Sequence, residues 1–183
     1  MTASSLRSAA ADRSRAAHLD PPSQPLVSSL REAMRGMASA VTLVTSCDES
    51  GTPHGMAATA VIPVSMEPAS MLIAIHRNAS LNPVLDRMQH FCINILPYSQ
   101  REIVQAFSDS AMRHRRFADY EWATTGEGIP YLVQAQSAIF CRRDQVVCYG
   151  THTLYIGQVE GVVSSPRSAP LIWFDGKPLE FPG

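Results

Sequence analysis

"YGTHTLYIGQVEGVV" (residues 149–163) alternates like a strand along its length, yet it carries a histidine at an apolar position. Successive strand side chains point to opposite faces, so His152 shares a face with Leu154 and Ile156, and Thr151, Thr153 and Tyr155 share the other. An imidazole in an apolar layer has two readings. It is either a hydrogen-bonded core residue or a group facing a cavity where something binds. The rest of the last third is also strand-like, around 132–141, 146–163 and 171–174.

Upstream, the pattern stays rich in strands and poor in helices. "SLRE" (29–32) has capping-box spacing, and Leu30, Ala33, Met34 and Met37 form one helical stripe behind it. "AVTLVTSC" reads as a strand, "DESG" as a turn, and "TPHGMAATAVIPVSM" as a broken extended segment in which Pro63 argues against a central strand. "SMLIAIH" and "HFCINIL" are further strands. Asn82-Pro83 reads as a cap followed by a first-turn proline, and Ser99 and Glu102 repeat the capping-box spacing before a short helix with Ile103, Val104 and Phe107. Without regular βαβ alternation, the expected fold is mainly β: a closed antiparallel barrel with flanking helices. Residues 1–27, dominated by serine, alanine, arginine and proline, read as a disordered or partner-draped tail, leaving 28–183 as one domain.

Bulk composition narrows the function classes. A net charge of -1 gives no reason to expect nucleic acid or an anionic membrane as partner, and no apolar run approaches the ~18 residues of a transmembrane span. The four cysteines, Cys47, Cys92, Cys141 and Cys148, form no CxxC and sit mostly in apolar runs. They read as small hydrophobes in a cytoplasmic protein without disulfides or a bound metal. The six histidines show no metal-ligand spacing, and GxGxxG, GxxxxGK[ST] and GxSxG are all absent.

Three stretches carry candidate chemistry, each with a plainer alternative. "HRNASLNP" (76–83) runs from a strand through Arg77, Asn78, Ser80 and Asn82 into a helix start, a set of donors suited to phosphate or merely a polar connecting loop. "MAATAVIPVSMEP" (56–68) is rich in small residues that would let a flat ring approach the backbone, or pack strands tightly. "RHRRF" (113–117) could grip phosphate, or be a solvated basic face.

Taken in order, these segments resemble the short-chain flavin reductase family, including the reductase component of 4-hydroxyphenylacetate monooxygenase. "REAMRGMASAVTLVTS", "GMAATAVIPVSMEP", "NASLNPV", "CINIL", "GIPYL", "GTHTLYIGQV" and "PLIWFDGK" all fall where that family has counterparts, over roughly 30–177. The resemblance implies an FMN-binding split β-barrel with Greek-key connections, acting as a homodimer. It also implies reduction of FMN or FAD by NADH or NADPH, with the reduced flavin diffusing to a separate monooxygenase. Carried over by motif, Ala57, Ala58, Thr59 and Ala60 would line the isoalloxazine, with Ser65, Met66 and Glu67 nearby. Asn78, Ser80 and Asn82 would hold the ribityl-phosphate end, helped by Arg113 or Arg116, with Phe117 beside the dinucleotide. His152 would be the catalytic residue facing flavin and nicotinamide, and Trp173 and Phe174 would close the pocket. Two alternatives on the same barrel are a flavin- or haem-holding protein without turnover and a pyridoxamine-phosphate-oxidase-like enzyme.

Overall fold

The first helix starts earlier than its capping-box spacing suggests. The computed structural model describes residues 23–166 and 168–180, and α1 runs Gln24–Arg35 behind Ser23, not from Ser29. Pro25 sets this start, because a first-turn proline has its φ pre-arranged and lacks an N–H that would otherwise go unpaired. The expected tail is helical from Gln24 onward, and its residues 1–22 lie outside the described residues. No residue of α1 is buried.

Next come β1 (Ser39–Ala40), β2 (Thr42–Cys47), β3 (Pro53–Ala58), β4 (Val61–Met66), β5 (Ala69–His76), α2 (Asn82–Arg87) and β6 (His90–Ile95). After α3 (Ile103–Ser108) come β7 (Trp122–Thr124), β8 (Pro130–Leu132), β9 (Ser137–Tyr149), β10 (His152–Ser164), β11 (Leu171–Phe174) and β12 (Lys177–Glu180). Both later helix starts differ from expectation. Leu81, not Asn82, precedes α2. Ser99 sits inside a 3-10 turn (Tyr98–Gln100), where Gln100 N donates to Pro97 O and Arg101 N to Tyr98 O, and Glu102 precedes α3.

Seven antiparallel strands form the main sheet in the order β3-β2-β6-β9-β10-β5-β4. β2 is buried along its whole length because both of its faces are covered. Val44 joins a cluster with Ile73, Ile75, Phe91, Ile93 and Tyr155, while Leu43 joins another with Leu96, Phe107, Leu132 and Leu171. Coverage on two sides explains why "VTLVTSC" carries buried residues without alternation. Asn94, fully buried, ties the second layer in: its Nδ2 donates to Leu43 O at 3.0 Å, and its Oδ1 accepts from Leu132 N at 2.8 Å.

The expected closed barrel is not what the hydrogen bonds make. β3 and β4 end the sheet and do not pair with each other; β4 turns back to pair with β5. Pro63 suits such an end strand, since it cannot donate to a neighbour, and the β4–β5 register shifts beside it.

The strand expected over 146–163 is two strands. Gly150, at φ +53°, turns β9 into β10, a left-handed position that glycine takes without strain. The face assignment of His152 reverses as well. Thr153, Tyr155 and Gly157 are the buried positions of β10, and His152 is exposed. Tyr155 wins the inner face because its ring fills the core while its hydroxyl donates to Asp86 Oδ1 at 3.0 Å and Asn82 O at 3.2 Å. Gly157 lies under Phe91; a Cβ there would stand 2.6 Å from the ring, so only glycine fits.

All four cysteines are free; Cys47, Cys92 and Cys141 are buried and Cys148 is half-buried. Burial pushes the Cys92 thiol well above its ordinary range and the Cys141 thiol up to about 12. Among the described residues, no helix is long and apolar enough to cross a membrane.

Candidate functional site

Strand β3 has a hollow at each end. At its C-terminal end, Ala57, Ala58 and Thr59 line a cavity of about 140 Å³ together with Trp173, Val104 and Ser108. Their small side chains leave backbone accessible, and Trp173 supplies an apolar wall. Small-molecule sites usually enclose roughly 300–1,000 Å³, so this hollow is too small to be a whole one.

At the N-terminal end of β3, a cavity of about 520 Å³ is bordered by His54, Gly55, Ser80, Arg113, Arg116 and Phe117. The structure therefore gathers Ser80, Arg113, Arg116 and Phe117, drawn from separate stretches of sequence, around one space. With its ends at Pro53 and Ala58, β3 spans roughly 17 Å between the hollows. That suits a tricyclic ring joined to a phosphate by a five-carbon chain.

The two arginines do different work. Arg116 is buried, and its guanidinium donates from Nε to Ala106 O at 2.9 Å, from Nη1 to Gly55 O at 2.8 Å and from Nη2 to Asp109 O at 3.4 Å. Burial first, and the charge of Arg113 second, pull its pKa below the ordinary guanidinium value, but it stays charged. Its donors hold β3, α3 and the 109–116 segment together. Arg113, on the exposed 3-10 turn Arg113–Arg115, has no ion-pair partner among the described residues, whereas Arg115 pairs with Asp119 at 2.6 Å. Arg113 is the cation left for an anion.

Other expected site residues stand apart. Asn78 is exposed, and its backbone N–H donates to His76 Nδ1 at 3.1 Å. Asn82 is buried with its Nδ2 unpartnered, an orphan donor beside the phosphate-side loop. Ala60, Ser65, Met66, Glu67 and Phe174 line neither hollow, and Met66 is 81% exposed on the end strand. His152 lines no described hollow within one chain. It sits directly opposite His76 of β5, the rings edge-to-face at 5.1 Å, with its Nδ1 3.0 Å from Thr151 Oγ1.

Sequence reasoning missed His54, which borders the phosphate-end cavity, and His76, the partner of His152. The signal for His54 was local. The carboxylate of Asp48 accepts from Ser50 N at 2.9 Å, Thr52 N at 3.0 Å and His54 Nε2 at 2.9 Å, so the "DESGTPH" turn presets that imidazole. The Ser50 and His54 hydrogen bonds hold the Asp48 carboxyl well below the usual carboxylate range.

Comparison with known proteins identifies the family. Residues 34–181 match the flavin reductase like domain. The chain is 38% identical over 144 residues to the reductase component of an FADH2-dependent resorcinol hydroxylase from Rhizobium sp. strain MTP-10005, covering 78% of this chain and 80% of that one. It is 35% identical over 159 residues to an NADH:riboflavin 5'-phosphate oxidoreductase from Streptomyces pristinaespiralis, covering 85% and 89%. Among solved structures, the styrene monooxygenase flavin reductase of Pseudomonas putida S12 superposes with a TM-score of 0.75 at 23% identity, covering 83% of this chain and 96% of that one.

Proposed function

Because this chain belongs to the flavin reductase like domain family, we propose that it reduces FMN or FAD with NADH and supplies reduced flavin to a separate monooxygenase. The observation that carries the reading is β3, with a ring-sized wall of small residues at one end and a basic, donor-rich cavity at the other. When flavin and nicotinamide are bound together, they supply the chemistry, a hydride passing from nicotinamide C4 to flavin N5. The chain's own residues do the rest. Ala57, Ala58 and Thr59 admit the ring against backbone groups, Trp173 excludes water from its edge, and Arg113 and Ser80 anchor the phosphate.

The sheet is read as a split barrel that works as a homodimer. The ring-end hollow is too small alone, and a second copy would supply the missing wall. α1 exposes Leu26, Leu30 and Met34, Met37 just beyond it is exposed as well, and the end strand β4 exposes Ile62, Val64 and Met66. An amphipathic helix that buries nothing and an end strand with an apolar outer edge each call for a cover. Light scattering at micromolar concentration is expected to give about twice the 19.9 kDa chain mass. A mass of one chain would contradict the dimer.

Steady-state oxidation of NADH tests the activity itself. Turnover is expected to depend on added FMN or FAD. Flavin binding without any NADH oxidation would point to a holding protein, and absence of both would remove the flavin reading.

A further inference from the structure

His152 opens β10 directly after the Gly150 turn, with its side chain exposed. A ring at the first position of a strand, outside the core, samples several rotamers unless a neighbour holds it. We propose that His76 is that neighbour, a positioning residue that fixes the imidazole of His152 for the reaction; the assignment rests on the flavin reductase reading above and on the place of His152 in it.

The backbone sets the two rings against each other. His76 is the last residue of β5 and lies directly opposite His152. Arg77 N donates to Thr151 O at 2.9 Å, which makes 76 and 152 an opposed pair of the non-hydrogen-bonded kind. Such pairs bring their Cα atoms to roughly 4.5 Å, the closer of the two spacings in an antiparallel ladder. The rings use that proximity: their planes stand at 79°, edge-to-face, with centroids 5.1 Å apart.

His76 is itself held. Asn78 N–H donates to its Nδ1 at 3.1 Å, so Nδ1 carries the lone pair and the neutral ring has its proton on Nε2. Thr151 Oγ1, 3.0 Å from Nδ1 of His152, is a second clamp on the ring that His76 faces. The Nε2 of His152 then has no hydrogen-bond partner among the described residues, and it is the nitrogen left for a reactant. His76 lines neither hollow of β3, so its contribution runs through His152.

Two substitutions separate the ring of His76 from its hydrogen bond. His76→Phe keeps an aromatic face and loses the Nδ1 acceptor, whereas His76→Asn keeps a short acceptor for Asn78 N–H and loses the ring. His76→Ala and His76→Asn are expected to lower kcat/KM for NADH roughly 3- to 10-fold, the scale of one aromatic pair, and His76→Phe to recover most of the loss. In a His152→Ala background none of the three is expected to cost anything further, because nothing is left to position. Flavin affinity is expected to hold throughout. Magnetic resonance gives a readout without turnover: the ring-proton lines of His152, identified by their loss in His152→Ala, are expected to shift in His76→Ala and to stay displaced in His76→Phe. Rescue by asparagine and not by phenylalanine would make His76 a support for its own loop and overturn the proposal. Equal losses with and without His152, or parental kinetics in His76→Ala, would overturn it as well. A parent chain that oxidises no NADH would fail the reductase reading and the kinetic role with it, while the resonances would still show whether His76 holds the ring.

Discussion

Arg116→Ala is expected to melt roughly 6–20 °C below the parent protein. Arg116 is 6% exposed, and its guanidinium donates to three backbone carbonyls, those of Gly55, Ala106 and Asp109. Truncation deletes three charge-assisted bonds and leaves buried acceptors without donors, together on the order of 3–5 kcal/mol. Arg116→Lys is expected to recover little of this, because one ammonium cannot fork to three carbonyls in different directions. Arg113→Ala, on the exposed turn, is expected to change the melting temperature by no more than about 2 °C while weakening FMN roughly 10- to 150-fold. Calorimetry on the variants checks the pair. Equal melting temperatures would make Arg116 an ordinary surface cation.

His152→Ala is expected to behave in the opposite way. The side chain is exposed, so thermal stability should stay within about 2 °C of the parent. Reductase kcat/KM for NADH is expected to fall on the order of 10²-fold, the scale of losing one positioned proton-bearing group. Flavin affinity should change little. The exposure removes the core-histidine reading, and the edge-to-face contact with His76 gives the ring a defined orientation. A drop in melting temperature with normal kinetics would end the catalytic role of His152.

Much of the strand framework was legible because β-branched and aromatic runs such as "SMLIAIH", "HFCINIL" and "PLIWF" admit few other readings. Two of the misreadings share a cause: each depended on a partner distant in sequence. The face of β10 was assigned by hydropathy, which counts Tyr155 as amphipathic; its burial depends on a hydroxyl reaching Asp86, 69 residues away. Within "RHRRF" nothing in sequence separates Arg116 from its neighbours, since the Gly55 carbonyl that claims it lies 61 residues upstream. Ser80 and Arg113 border one cavity, and His54 joins them through a turn whose carboxylate bonds leave no periodic trace. Helix starts failed for a local reason, because prolines and 3-10 turns overrode capping-box spacing.

Sulfur placement has a bearing on survival in use. Reduced flavin that escapes into aerated solution reacts with dioxygen and yields hydrogen peroxide, so a chain that releases reduced flavin works beside an oxidant. Peroxide attacks thiolates far faster than thiols. Cys47, Cys92 and Cys141 lie in the interior, where burial suppresses the thiolate in all three. Only the half-exposed Cys148 meets solvent, on the strand facing Thr153 next to His152. The same packing that built the core thus leaves the protein with little thiolate for its own by-product to consume.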